Sequence, residues 1–156
     1  MSYALQVERV AVIAYGQVLA TSVLSAGVRA QLEVLLAQER QHVARLERAL
    51  AGIGAPVSEQ PATVAAAQAV LDGHQVGSSL TALTSEHDCL RLLVDVESLT
   101  EGAYFKAIPQ LQQASLLRTS LQLMGSDAQH WTVLSGLQHA GDVSLSVPYP
   151  FVQGSS

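Results

Sequence analysis

The chain has 156 residues, of which 49% are apolar and 13% charged, and its formal net charge is -5. This length is typical of one domain with a substantial core, and the apolar content excludes an intrinsically disordered chain. Its eight basic residues are scattered, which argues against nucleic-acid binding, and the single cysteine, Cys89, excludes an internal disulfide and a cysteine-rich zinc site.

The first half of the chain predicts a helical hairpin. Ala, Leu, Gln and Glu are abundant and no segment alternates with period two, so helices are favoured throughout. The first helix is expected from about Tyr3 to Thr21, with a break at 22–27. The second should begin at Ser25 or Ala26 and end at Leu50, before a segment with Gly52, Gly54 and Pro56.

A second hairpin follows a long connection. The segment from about residue 52 to residue 84 is rich in Gly, Pro and Ser around a short Ala-rich helix, a pattern typical of a crossover between hairpins. Ser85 and Asp88 form a candidate helix cap, and that helix should reach about Gln110, with Pro109 ending or kinking it. A further helix is predicted from about Ser115 to His139.

The predicted fold is therefore an all-α, up-down four-helix bundle over residues 1–141, made of two hairpins and a crossover. The remaining residues, 142–156, contain two prolines and no helical period, and an extended tail is predicted there. Tyr149 and Phe151 are expected to pack this tail across the bundle.

The two hairpins are copies of one another. Val7, Glu8, Ala14 and Tyr15 recur 89 residues later as Val96, Glu97, Ala103 and Tyr104. Glu39, Gln41, His42 and Leu46 have counterparts 88 residues later in Asp127, Gln129, His130 and Leu134. This repeat predicts a pseudo-symmetric bundle.

Each helix carries one acid in the middle of its apolar stripe. These acids are Glu8, Glu39, Glu97 and Asp127, and a histidine follows two of them after three residues, giving Glu39 with His42 and Asp127 with His130. Four buried carboxylates need compensation, because an unpaired buried charge costs several kcal/mol or more. Two divalent cations would balance them, and the oxygen and nitrogen donors suit iron, manganese or zinc. The sequence therefore predicts a two-metal site.

These motifs resemble the ferritin-like superfamily, most closely its small bacterial ferritin-like domain proteins. The resemblance covers roughly residues 3–140 and implies a bundle with a crossover. By position it makes six residues the candidate metal ligands: Glu8, Glu39, His42, Glu97, Asp127 and His130. Asp127 departs from the usual Glu, which leaves open whether it bridges two ions or binds one terminally.

The function expected from this site is a dimetal carboxylate protein, with iron as the first expected metal and manganese or zinc as alternatives. Two Fe(II) ions, bridged by Glu39 and Glu97 or their equivalents, would react with O2 or peroxide in an oxidase, ferroxidase or peroxidase reaction, with Fe(II) itself as a possible substrate. The alternative is a non-catalytic scaffold or stress-protection module with a vestigial or structural metal site, so the sequence leaves enzyme activity undecided.

Three further residues belong to this hypothesis. Tyr15 and Tyr104 lie seven residues after the acids of their helices, and each is expected either to hydrogen-bond a ligand carboxylate or to pack in the core. Glu101, four residues after Glu97, is either an additional ligand or a solvated or arginine-paired acid.

The sequence also predicts the location and the oligomeric state of the protein. No apolar run approaches the ~18 residues of a membrane span, and the N-terminus lacks a signal-peptide pattern, so a cytoplasmic location is expected unless a leader has been removed. The low charge content favours a homo-oligomer, a dimer or larger.

Overall fold

The chain folds into a helical bundle, described by a computed structural model over residues 1–140 and 142–146. The α-helices in this part of the chain are α1 Ser2–Ala20, α2 Ala26–Gly52, α3 Val64–Gly73, α4 Glu86–Ala107, α5 Ala114–Gln138 and α6 Val143–Ser146. A short 3-10 helix, Ile108–Gln110, follows α4, so α4 ends just before Pro109, as predicted. The residues described contain no strand, so the predicted all-α class is confirmed.

The four long helices close into a bundle. α1 packs against α2 and α4, and α5 packs against the same two helices. The N-terminal turns of α1 and α5 lie at the same end of the bundle as the C-terminal turns of α2 and α4. Each long helix is therefore antiparallel to both of its neighbours, and the crossover, with α3 packed on α1, returns the chain along the length of the bundle.

Side-chain contacts fix the helix ends. The Ser85 hydroxyl accepts a hydrogen bond from the Asp88 backbone amide at 3.1 Å and donates one to the Asp88 carboxylate at 2.7 Å, which confirms the predicted cap of α4. At the α1–α2 turn, the Arg29 guanidinium donates to the backbone carbonyls of Leu19 and Thr21, both at 2.7 Å. These bonds satisfy carbonyls that the end of α1 leaves without partners.

Two apolar layers fill the bundle, one toward each end. One layer contains Val10, Ala14, Leu32, Leu36, Leu93 and Leu134, and the other contains Leu5, Val7, Leu46, Leu50, Leu116 and Leu123. On every long helix, the predicted acid lies in the sequence between the residues of one layer and those of the other. The layers thus leave a polar level at the middle of the bundle.

The end of the chain differs in part from the prediction. Val143–Ser146 form the short helix α6 where an extended segment was expected. The Asp142 carboxylate accepts a hydrogen bond from the Ser144 amide at 3.0 Å, and the Ser135 hydroxyl of α5 donates to the Leu145 carbonyl at 2.7 Å, so a local cap and a tertiary bond favour this turn. Tyr149 and Phe151, predicted to pack across the bundle, lie outside the described residues. None of the helices described has the length and apolarity required to cross a membrane.

Candidate metal centre

The bundle brings all six predicted ligands together at its polar middle level. Their exposed fractions are 0% for Glu8, Glu39, Glu97 and Asp127, 5% for His42 and 2% for His130. They come from four helices, with α1 and α4 giving one acid each and α2 and α5 giving an acid and a histidine one turn apart. The i,i+3 spacing directs each acid and its histidine to the same helix face.

The donor atoms form two overlapping four-residue groups, each with its atoms within 4.8 Å of one another. One group is Glu8, Glu39, His42 and Asp127, and the other is Glu39, Glu97, Asp127 and His130. Each group therefore offers three carboxylates and one imidazole, a donor set suited to a divalent transition metal. The two groups are related by the sequence repeat, since residues of one correspond to residues of the other.

Two carboxylates are common to both groups of donor atoms, and the bridging of two ions by Glu39 and Glu97 or their equivalents stays a prediction. Glu39 and Asp127 belong to both groups, whereas Glu97 belongs to only one. The reason is positional, because Glu39 and Asp127 are equivalent residues of the repeat on α2 and α5, while Glu97 is the equivalent of Glu8. The shorter side chain of Asp127 still reaches the centre, since its Oδ1 lies 3.0 Å from Nδ1 of His42.

The two imidazoles stack at the centre and turn the same nitrogen toward the acids. Their ring centroids are 5.4 Å apart and the ring planes differ by 6°. Nδ1 of His130 lies 2.7 Å from Oε1 of Glu39, and Nδ1 of His42 lies 3.4 Å from the same oxygen. Both Nδ1 atoms are therefore in position to be metal ligands.

Buried polar atoms without hydrogen-bond partners provide a test of whether these residues fit metal ions. Across the described residues, eight such atoms belong to the six site residues: Glu8 Oε2, both carboxylate oxygens of Glu39 and of Asp127, Glu97 Oε2, and Nδ1 of His42 and of His130. Buried polar atoms are normally paired, and an unpaired one costs about 1–3 kcal/mol or more. These atoms converge and contact one another rather than other groups, as Nδ1 of His130 contacts Oε1 of Glu39, so the residues present fit metal ions.

Two outer contacts orient the histidines, and sequence reasoning missed both. Nε2 of His42 lies 3.1 Å from the Ser126 hydroxyl, and Nε2 of His130 lies 2.7 Å from Oε1 of Gln38. Gln38 and Ser126 are themselves equivalent positions, each preceding a shared acid of the repeat. An acceptor at Nε2 holds the proton there and leaves the Nδ1 lone pair for a metal, which is the usual arrangement around metal-bound histidine.

The two tyrosines hydrogen-bond the acids, each across the bundle. Tyr15 of α1 donates to Oε1 of Glu97 on α4 at 2.5 Å, and Tyr104 of α4 donates to Oε1 of Glu8 on α1. Burial above all, together with the nearby carboxylates, raises the pKa of both phenols well above 10, so they remain donors. The predicted bonds to ligand carboxylates are thus present.

Replacing Tyr15 or Tyr104 with Phe removes one of these bonds and leaves a buried carboxylate oxygen unpaired. We expect the metal-free Y15F protein to lose about 1–3 kcal/mol of unfolding free energy, and its metal affinity to fall about 10- to 100-fold. Urea denaturation and metal titration would measure the two effects. Tyr3, which bonds His74 at the surface, gives the matched control Y3F, and equal effects in both variants would contradict the assignment.

The side chains of the metal centre change the pKa values of one another. Burial first, and then the charges of neighbouring acids, raise the pKa of Glu39 and of Asp127 well above their usual ranges. Burial lowers the pKa of His42, but its contacts with Asp127, Glu8 and Glu39 outweigh this effect and raise that pKa to about 10. Without metal, therefore, His42 holds an additional proton at neutral pH, and the two acids bind protons more readily than free carboxylates do.

Metal binding is accordingly expected to release protons, because the ligands must be deprotonated to bind. At pH 7 the measured binding enthalpy should change with the ionisation enthalpy of the buffer, and the affinity should increase with pH. Calorimetric titration of Mn(II) in two buffers at three pH values would measure both. A heat and an affinity independent of buffer and pH would contradict the expectation.

Glu101 lies beside the centre without joining it. It is partly buried on α4 and belongs to neither group of donor atoms, so the additional-ligand interpretation gains no support. Burial, with a smaller contribution from Glu97, raises its pKa to about 7. Among the described residues, no arginine lies within ion-pair distance of Glu101, so the arginine-paired alternative gains no support either.

Comparison with known proteins identifies one family. The ferritin-like domain family matches residues 1–140, which include all four long helices and all six candidate ligands. No curated protein and no solved structure gives a significant match to the chain.

Proposed function

Since the chain belongs to the ferritin-like domain family, we propose that it binds two divalent metal ions at the bundle centre and that the metal pair, di-iron in the first instance, reacts with O2 or peroxide. The observation that carries this proposal is the convergence of eight unpaired buried donor atoms from six side chains. Without metal ions, only contacts with the two histidines and bound protons would compensate these carboxylate oxygens.

Charge and ligand type favour two ions of the same kind. Four carboxylates carry four negative charges, which two divalent cations neutralise, and neutral imidazoles add none. The mixed oxygen and nitrogen donors suit iron, manganese or zinc more than calcium or magnesium, which prefer oxygen alone. The pseudo-symmetric groups give both positions nearly the same donors.

Each residue has a specific role in this proposal. Glu39 and Asp127, which belong to both groups of donor atoms, would help to hold both ions, while Glu8 with His42 and Glu97 with His130 would complete the two positions. Tyr15 and Tyr104 hold the two unshared acids in place, and the apolar layers above and below exclude water. Carboxylates can change between one- and two-oxygen binding, so the same side chains accommodate a change of metal charge.

When bound, an iron pair supplies two electrons, which matches the two-electron reduction of O2 or peroxide. The direct test is anaerobic loading with Fe(II), followed by rapid mixing with O2 or with hydrogen peroxide. We expect two irons per chain and oxidation much faster than that of free Fe(II) at the same pH. If two irons bind but oxidation is not accelerated, the site is structural. If no metal binds, the result supports the scaffold alternative.

A further inference from the structure

A cavity of about 210 Å³ lies between α1, α2 and the segment that precedes α3. Its walls are mainly apolar and include Val12 of α1, Val43 of α2 and Pro61 of the crossover. Two arginines, Arg9 and Arg40, also line it. None of the six candidate metal ligands does.

The two guanidinium groups are in different states. Arg9 is 13% exposed, and its Nη2 donates to Oε1 of Glu47 at 2.6 Å, so Glu47 neutralises its charge. Nη1 of the same group is buried and has no hydrogen-bond partner within the described residues. Arg40 is exposed and makes no ion pair with any described residue. The cavity is therefore lined by one guanidinium without an acidic partner and by another whose charge is neutralised.

We propose that this cavity binds a small organic anion with an apolar body, of the class of a short-chain monocarboxylate. The negative charge of the ligand would pair with the guanidinium of Arg40. A water occupies about 30 Å³ of liquid, so the cavity has room for about seven waters, or about six to ten non-hydrogen atoms of ligand. The apolar walls would contact the hydrocarbon chain.

Hexanoate is a suitable probe, because it has eight non-hydrogen atoms and a single charge. Calorimetric titration of the metal-loaded protein should give one site per chain, and hexanamide, which has the same shape without the charge, should bind at least about tenfold more weakly. Arg40→Gln should weaken hexanoate binding by a similar factor. Arg48→Gln removes an exposed charge from the same helix outside the cavity and should change nothing.

A second variant locates the ligand. Ala62 is an exposed residue of the cavity wall, so Ala62→Trp should block the cavity without disturbing the core, and hexanoate binding should be lost. Circular dichroism would check the fold of each variant. Absence of hexanoate binding, equal binding of hexanamide, or binding unaffected by Ala62→Trp would overturn the proposal. So would binding that disappears with chelator and is insensitive to Arg40→Gln, because the carboxylate would then be a metal ligand.

Discussion

Replacing Glu39 with Gln is expected to remove both metal ions from the protein, whereas replacing Glu8 with Gln should remove only one. Glu39 belongs to both groups of donor atoms and Glu8 to one. Loss of an outer-shell partner alone typically weakens metal binding about 10- to 100-fold, so loss of a shared ligand should cost at least about 100-fold at each position. Metal content after gel filtration, measured by elemental analysis, would fall from two per chain to near zero in E39Q and to about one in E8Q.

The control is Glu33→Gln, an exposed acid on the same helix, which should keep two metals. The unfolding free energy of the metal-free proteins tests for misfolding. Metal-free E39Q should be at least as stable as the metal-free native protein, because a glutamine at this position cannot become a buried charge. Two metals retained in E39Q, or equal losses in E39Q and E8Q, would show that Glu39 is not shared.

Metal loading is expected to raise the melting temperature by about 10–20 °C. A ligand at 100 times its dissociation constant stabilises the folded state by about 2.7 kcal/mol per site, so two sites give about 5 kcal/mol. For a chain of this size, 1 kcal/mol changes the melting temperature by about 2–4 °C. Thermal unfolding with Fe(II) under anaerobic conditions, or with Mn(II), would measure the shift, and a chelator should reverse it.

This shift should grow as the pH rises. The raised pKa values of Glu39, Asp127 and His42 mean that the metal-free folded state holds protons more tightly than the unfolded chain. The contribution of these three groups to stability is therefore greatest below their unfolded-state pKa values and is lost as the pH rises through their raised pKa values. Metal loading replaces the protons, so the loaded protein should not show this decrease. E39Q should show no metal-induced shift, and a metal-independent melting temperature in the native protein would defeat the metal proposal.

The sequence was sufficient for the bundle and the six central side chains because both depend on periodicity and on the repeat. Glu39 and Asp127 could be placed inward from the leucines around them, and Ser85 could be placed as a cap from Asp88. Contacts between side chains of different helices could not be predicted in this way. The repeat does not show that Gln38 and Ser126 contact the histidines, because the two residues are chemically different and precede the motif.

The tyrosine contacts illustrate the same limit. Seven residues of helix rise about 10 Å, so Tyr15 cannot reach Glu8 on its own helix. Its actual partner is Glu97, which lies opposite Tyr15 because α1 and α4 are antiparallel. The spacing of residues within one helix gives no information about that arrangement. The choice of bridging acids likewise depends on how the four helices meet, so bridging by Glu39 and Glu97 or their equivalents stays a prediction.

The reciprocal bonds from Tyr15 to Glu97 and from Tyr104 to Glu8 have a consequence for how the centre is assembled. Each hairpin holds the acid of the other, so neither half alone has a complete set of partners. Two identical copies of one hairpin, associating about a two-fold axis, would present the same contacts between subunits. Joining the copies in one polypeptide makes formation of the centre independent of protein concentration. It also frees each half to diverge, as Asp127 has from Glu39 and Ser126 from Gln38.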